Sequence, residues 1–296
     1  METELKDKTF ILTGATSGIG LAAAQLLAER GAFLIGVGRS AERCAQAESQ
    51  LRSTYPHAQV EYCVADLSMQ EQVRQLTMEI RVKLQAHHTK TLDGLINNAG
   101  TFTYRMALTT EGFEMQWAVN HLAPFLLTHE LLPLLQAAPA GRVVTVSSGS
   151  HYHTRLKWND LQLRRGYSGL RAYKQTKLAT VLFTAEFNRR LGGESPLRAF
   201  AADPGLVFTD MGFKGNPALA RWVWGLRRRS GVSPQESARG VVFLATEPTI
   251  QNSPEIYWKD SYPKAPNPYA LDEGAAKRLW DLSEQMCGIE PGKYFG

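Results

Sequence analysis

Short apolar runs of strand length alternate along this chain with longer segments rich in helix-forming residues. Thr9 to Thr13 form the first strand candidate, which runs into GATSGIG and then the helix former LAAAQLLAER. Gly31 ends that helix and FLIGVG opens a second strand. The alternation continues with AERCAQAESQLRSTY as helix, VEYCVAD as strand, MQEQVRQLTMEIRVKLQ as helix and LDGLINNAG as strand. A long helical stretch from Phe113 to Leu135 precedes the strand RVVTVSS. After an irregular insertion come a helix containing Tyr173, a sixth strand in LRAFAADPG, and VVFLATEP within a helix. Strands separated by helices require right-handed crossovers, so the pattern predicts an α/β fold: a doubly wound, mostly parallel sheet with helices on both faces. No linker, repeat or low-complexity tract divides the chain, and residues 1–296 read as a single domain. The last part, about 250–296, is less regular. Pro254, Pro263, Pro266 and Pro268 resist helix and central strand, and a helical ALDEGAAKRLWDLSEQMC follows, so this part reads as a covering segment.

Composition narrows the function. With 296 residues, 44% hydrophobic and 21% charged, the chain can bury a full core. A net charge of +5, part of it local to Arg227, Arg228 and Arg229, makes nucleic acid an unexpected main partner. Cys44, Cys63 and Cys287 lie far apart without zinc or redox spacing and suggest a reducing compartment. His151 and His153, or His87 and His88, invite a metal reading, but no third ligand accompanies them and no metal is expected. The polar start METELKDKTF lacks secretory-signal features and no apolar stretch is long enough to span a bilayer, which predicts a cytoplasmic protein meeting membranes only peripherally.

Thr13, Gly14, Ser17, Gly18, Ile19 and Gly20 lie in the turn from the first strand to the first helix. Glycines there permit a tight bend and let a pyrophosphate approach the helix amino terminus. The spacing is Gly-x-x-x-Gly-x-Gly rather than the commoner Gly-x-Gly-x-x-Gly of dinucleotide sites. At the end of the second strand, where NAD sites place a carboxylate, stand Arg39 and Ser40. An arginine can pair with a 2′-phosphate and a serine can hydrogen-bond it, which favours NADP(H) over NAD(H); a solvated loop arginine is the alternative. Asp66, followed by Leu67, could hold the adenine amino group or cap the helix near Met69. Asn97, Asn98, Ala99 and Gly100 would line the cofactor floor, or form an ordinary turn.

The most informative pair is Tyr173 and Lys177, one helical turn apart. A free phenol titrates near ~10, and an adjacent ammonium is expected to lower that value, making it fit to exchange a proton with a carbonyl or alcohol. Alone, such a pair occurs by chance in many solvated helices.

Together TGATSGIG, NNAG, Asn120, Ser147 and Ser148 after RVVTV, YKQTK and DPGLVFTD resemble the short-chain dehydrogenase/reductase family in type and order, over nearly the whole chain. The segment between Ser148 and Tyr173, the phrase KLATVLFTAEFNRRL and the tail are similar to the retinol dehydrogenase-like branch, which includes the catalytic domain of the WW-domain oxidoreductase. The resemblance implies a Rossmann domain and assigns roles. Tyr173 would be the proton donor in reduction, Lys177 would lower its pKa and bind the nicotinamide ribose, and Ser148 would contact the substrate oxygen. Asn120 would support a proton-relay water through the helix backbone. Ser147 and Ser148 face opposite ways on a strand, and the family pattern selects Ser148. Pro204, Gly205, Val207 and Thr209 would shape the carboxamide pocket, although Pro-Gly is also a common turn. Where many members of the branch carry a Ser-Gly-Lys-Tyr-like segment, this chain reads SPEIYW, which leaves pocket closure and quaternary contacts open.

The resemblance also places a substrate-covering segment at about 210–232. Trp222 and Trp224 there could meet a lipophilic substrate and Arg227 to Arg229 anionic lipid, or the former could pack on the domain and the latter face solvent. The leading expectation is an NADP(H)-dependent oxidoreductase acting on a lipophilic aldehyde, ketone or alcohol. Alternatives are a tetrapyrrole double-bond reductase like protochlorophyllide reductase, and a non-catalytic NADP(H)-binding regulator. Oligomeric state is left open.

Overall fold

Alternate side chains of a strand point to opposite faces, and in the central strands of the sheet both faces are buried, whereas the edge strands are partly exposed. The computed structural model describes residues 4–205, 232–293 and 295. Its parallel core comprises β1 (Thr9–Thr13), β2 (Phe33–Gly38), β3 (Gln59–Val64), β4 (Gly94–Asn97), β5 (Arg142–Val146) and β6 (Arg198–Asp203). The helices are α1 (Gly18–Glu29), α2 (Ala41–Thr54), α3 (Gln70–Ala86), α4 (Met115–Trp117), α5 (Ala123–Gln136), α6 (Gly169–Leu191), α7 (Pro234–Thr246) and α8 (Glu273–Cys287). Two further strands, β7 (Tyr257–Lys259) and β8 (Tyr262–Pro263), complete a sheet of order β3-β2-β1-β4-β5-β6-β7-β8. The order reverses between β1 and β4, the switch point where the strands' carboxyl ends open a crevice for ligands.

Ile11, Ile35, Val143 and Ala201 enter one core with α3, α5, α6 and α8. Their neighbours Leu12, Leu34, Val144 and Phe200 enter the other, with α1, α2 and α7. This division is the physical content of the predicted two-faced sheet.

The proline-bearing tail does more than cover. Tyr257–Lys259 pairs in parallel with β6, and β8 turns back antiparallel at the edge, where Pro263 costs no central ladder bond. The strand is three residues long, too short for its IYWK run to stand out among the prolines. Tyr257 and Trp258 face opposite cores. Helix α8 lays Trp280 on Phe183, with ring centroids 5.9 Å apart and planes 12° from parallel, beneath the guanidinium of Arg190. No helix among the described residues is long and apolar enough to cross a membrane.

The expected long helix from Phe113 to Leu135 is interrupted. Between α4 and α5, residues Ala118–Leu122 form a π-helical turn with Asn120 at its centre. Such widened turns recur at functional sites because they unsettle the regular backbone ladder.

Candidate active site

At the β1–α1 turn the glycine loop is locked by the end of β4. Gly14 and Gly18 adopt left-handed backbone, with φ 68° and 55°. The Thr13 hydroxyl accepts the backbone N–H groups of Asn98 and Ala99, each at 3.0 Å. The Asn98 side-chain amide donates to the carbonyls of Thr13 at 2.9 Å and Gly14 at 3.4 Å. A Cβ on Gly20 would collide with the Gly14 carbonyl. Thr13 and Asn98 therefore shape the cradle by holding it. Ser17 is the N-cap of α1 yet its hydroxyl caps nothing, and the first turn carries no acidic residue. These features fit an anion at the helix start.

Arg39 is exposed at the end of β2. Ser40 caps α2 by accepting the Arg43 N–H at 3.4 Å, and the Arg43 guanidinium donates to the Thr16 carbonyl of the glycine loop at 3.3 Å. Arg43 is a second cation at this corner that the sequence reading missed; its one-turn spacing from Arg39 was the available signal. Asp66 does not cap α3: its carboxylate accepts the Ser68 N–H at 3.0 Å, and the N-cap is Met69. Its placement in a tight turn uses one carboxylate oxygen in that bond. Leu67 packs against the core below, and Gly100 is half-buried on the same rim.

Across the crevice, α6 presents Tyr173 and Lys177 towards the end of β5. The Ser147 hydroxyl points inward and donates to the Lys177 carbonyl at 2.9 Å, whereas Ser148 faces Tyr173 and hydrogen-bonds its phenol. Burial nevertheless pushes the Tyr173 phenol up to about 12, the Ser148 bond opposing and the Asp203 carboxylate adding to the rise. The expected lowering by Lys177 is absent. Its ammonium lies 5.6 Å from the centre of the Tyr173 ring and donates to the Val146 carbonyl at 2.8 Å, and burial pushes it down to about 8.

Asn120 reaches the site indirectly. Its side-chain oxygen accepts the Thr101 N–H at 2.7 Å, and its amide donates to the Thr101 carbonyl at 3.0 Å and the Thr176 hydroxyl at 3.2 Å. The side chain thus ties the rim after β4 to α6. The ring of Phe102, on the same rim, stands edge-on to Tyr173 at 5.7 Å.

Asp203, at the end of β6, is a further residue the sequence reading passed over. Its buried carboxylate accepts N–H groups from Gly149 at 3.2 Å and Gly205 at 3.1 Å, and the Tyr257 hydroxyl at 2.7 Å. Lys264 approaches it at 3.3 Å. Tyr257 of SPEIYW thus closes on the Asp-Pro-Gly turn. Pro204 offers its carbonyl to the Ser237 hydroxyl at 2.7 Å, and Gly205 takes φ 72°. Val207, Thr209, Trp222, Trp224, Arg227, Arg228 and Arg229 lie outside the described residues.

A glycine cradle at a helix start facing a Ser-Tyr-Lys cluster across the switch point is an arrangement for redox chemistry on a dinucleotide. The family model for short chain dehydrogenases matches residues 8–219, and the chain belongs to that family. It falls in the retinol dehydrogenase-like branch and is an oxidoreductase with a fold that binds a nicotinamide cofactor. It is 36% identical over 294 residues to mouse (Mus musculus) retinol dehydrogenase 14, covering 95% of this chain and 86% of that protein. Human (Homo sapiens) retinol dehydrogenase 13 is 35% identical over 292 residues, covering 96% and 85%. Among solved structures, an uncharacterised protein from Mycobacterium paratuberculosis superposes with a TM-score of 0.71 at 33% identity, covering 98% of each chain.

Proposed function

We propose that this protein is an NADP(H)-dependent carbonyl reductase or alcohol dehydrogenase acting on a lipophilic aldehyde, ketone or alcohol of retinoid-like character. The observation that carries the reading is the Tyr173 phenol, held neutral by burial, hydrogen-bonded to Ser148 and edge-on to Phe102.

The residues fit the cofactor: the cradle of Gly14, Gly18, Ile19 and Gly20 and the unengaged Ser17 hydroxyl suit a pyrophosphate, and Arg39 with Ser40 suits a 2′-phosphate. Asp66, Leu67, Asn98, Ala99, Gly100, Pro204, Gly205, Val207 and Thr209 complete the proposed contacts. When bound, the nicotinamide supplies or takes the hydride. The chain does the rest. As negative charge develops on a carbonyl oxygen, the Ser148 hydroxyl donates to it and Tyr173 Oη passes it a proton. A phenol near 12 keeps its proton at neutral pH and can give it to the developing alkoxide, which is the stronger base. Lys177, close to its midpoint near 8, is proposed to hold the ribose and to help restore the proton to Tyr173 through water at the Asn120 backbone. The names of the retinol dehydrogenase relatives and the apolar Phe102 support a lipophilic substrate.

Purified protein should consume NADPH in preference to NADH with retinal, medium-chain aldehydes, quinones or steroid ketones, and Tyr173→Phe should lower that consumption by about a hundredfold or more. NADPH binding without turnover across that panel would overturn the enzymatic reading in favour of a regulator.

A further inference from the structure

His151 closes the short 3-10 turn Gly149–His151 that follows Ser148, and it is fully buried. Its two ring nitrogens face different parts of the chain. The backbone N–H of Asn267 donates into Nε2 at 3.0 Å, and Nδ1 lies 2.8 Å from the Ser148 carbonyl. A backbone amide can only donate, so Nε2 is the bare nitrogen and the ring proton sits on Nδ1, directed at Ser148. The ring is held between Tyr152 and Tyr257, with centroids 4.3 and 4.7 Å away. Burial keeps the imidazole neutral, since its pKa is pushed below the ordinary histidine value.

Asn267 is itself fixed. Its side-chain amide donates to the carbonyls of His151 at 3.0 Å and Thr154 at 2.9 Å, while its oxygen accepts the Tyr269 N–H at 3.0 Å. The next residue of the turn, Gly149, is pinned by Asp203. The serine's own hydroxyl accepts the Ser150 N–H at 3.2 Å, so its direction depends on the same short turn.

We infer that His151 is a positioning residue for Ser148: its Nδ1–H orients the Ser148 carbonyl, and through the turn the hydroxyl, while its Nε2 anchors the turn to the tail at Asn267. This inference rests on the proposed role of Ser148. A histidine serving only to fasten the tail would need the Nε2 bond and not the Nδ1 bond, and two substitutions separate these. The amide of His151→Asn reaches the Nδ1 position and retains a donor to Ser148. That of His151→Gln reaches the Nε2 position and retains an acceptor for Asn267.

The test is the turnover number of both variants with the best carbonyl substrate, alongside their NADPH affinity. Positioning predicts His151→Asn within about threefold of the parent and His151→Gln lower by about tenfold or more, both with NADPH affinity within about twofold. The reverse ranking, or equal turnover, would overturn it. Combined with Ser148→Ala, His151→Gln should cost no more than about twofold further, because the group it orients is gone; an undiminished additional loss would also overturn it. Ser148→Ala with full activity would instead remove the underlying assignment of the serine. Independently of turnover, ring nitrogen NMR of the unliganded protein should find the His151 proton on Nδ1, and a proton on Nε2 would refute the arrangement.

Discussion

The two walls of the crevice are built from different materials. The wall proposed to hold the nucleotide is backbone: left-handed Gly14 and Gly18, a close approach at Gly20, and a helix end left without a side-chain cap. The opposite wall is made of polar side chains drawn out of water, with Lys177, Asp203 and His151 buried and Tyr173 half-buried. Backbone recognises an anion by shape and needs no tuning. The proposed proton donor is set by its surroundings: burial moves Tyr173 and Lys177 far from their ordinary values. Damage to the first wall should therefore appear in binding, and damage to the second in turnover.

The sharpest test of that division is Tyr173→Phe. Turnover should fall by about 10²–10⁴-fold while NADPH affinity, followed by its fluorescence, stays within a small factor. Equal losses in both would erase the distinction between the walls.

Gly20→Ala should do the opposite. The new methyl meets the Gly14 carbonyl and the Asn98 amide, so NADPH binding should be lost and stability should drop by about 1–3 kcal/mol in a denaturant melt.

Acid should act on the packing behind the catalytic wall. His121 and His129 are buried, with pKa values pushed down to about 3 and about 4. Between those values and the ordinary 6.5 the unfolded chain binds more protons, so stability rises with pH there and falls as acid is added. Each histidine contributes a slope of up to about 1.4 kcal/mol per pH unit. Denaturant midpoints between pH 7 and pH 4 measure it, and His121→Gln should flatten the curve. Among the described residues, no buried histidine stands at the glycine loop.

The smallest effect is expected at Arg39. Arg39→Ala should raise KM for NADPH by about tenfold and leave that for NADH unchanged, a difference of about 1.4 kcal/mol. Equal changes for the two cofactors would remove the 2′-phosphate assignment.

The same division governs how much could be read in advance. Six strands and the helices between them were legible because each carries its period locally, and the glycine loop because backbone needs are written in single residues. Strand β7 was not, since three residues among prolines become a strand only when β6 offers a ladder. The π turn at Asn120 has no local sequence mark either. Within the site, Tyr173 and Lys177 were visible as a spacing, but the direction of the tyrosine's shift was misjudged because sequence distance gave the ammonium too large a part and burial too small a one.

The sequence by itself determined the order of elements, the glycine cradle, the position of the Ser-Tyr-Lys set and the family, because these follow from short-range patterns and backbone requirements. Tertiary structure alone decided that Ser147 turns inward, that Asn98 clamps the cradle, and that Asp203 and His151 join the Ser148 turn to Tyr257 and Asn267. Those bonds span 30 to 116 residues, and burial acts only once the chain has folded around them.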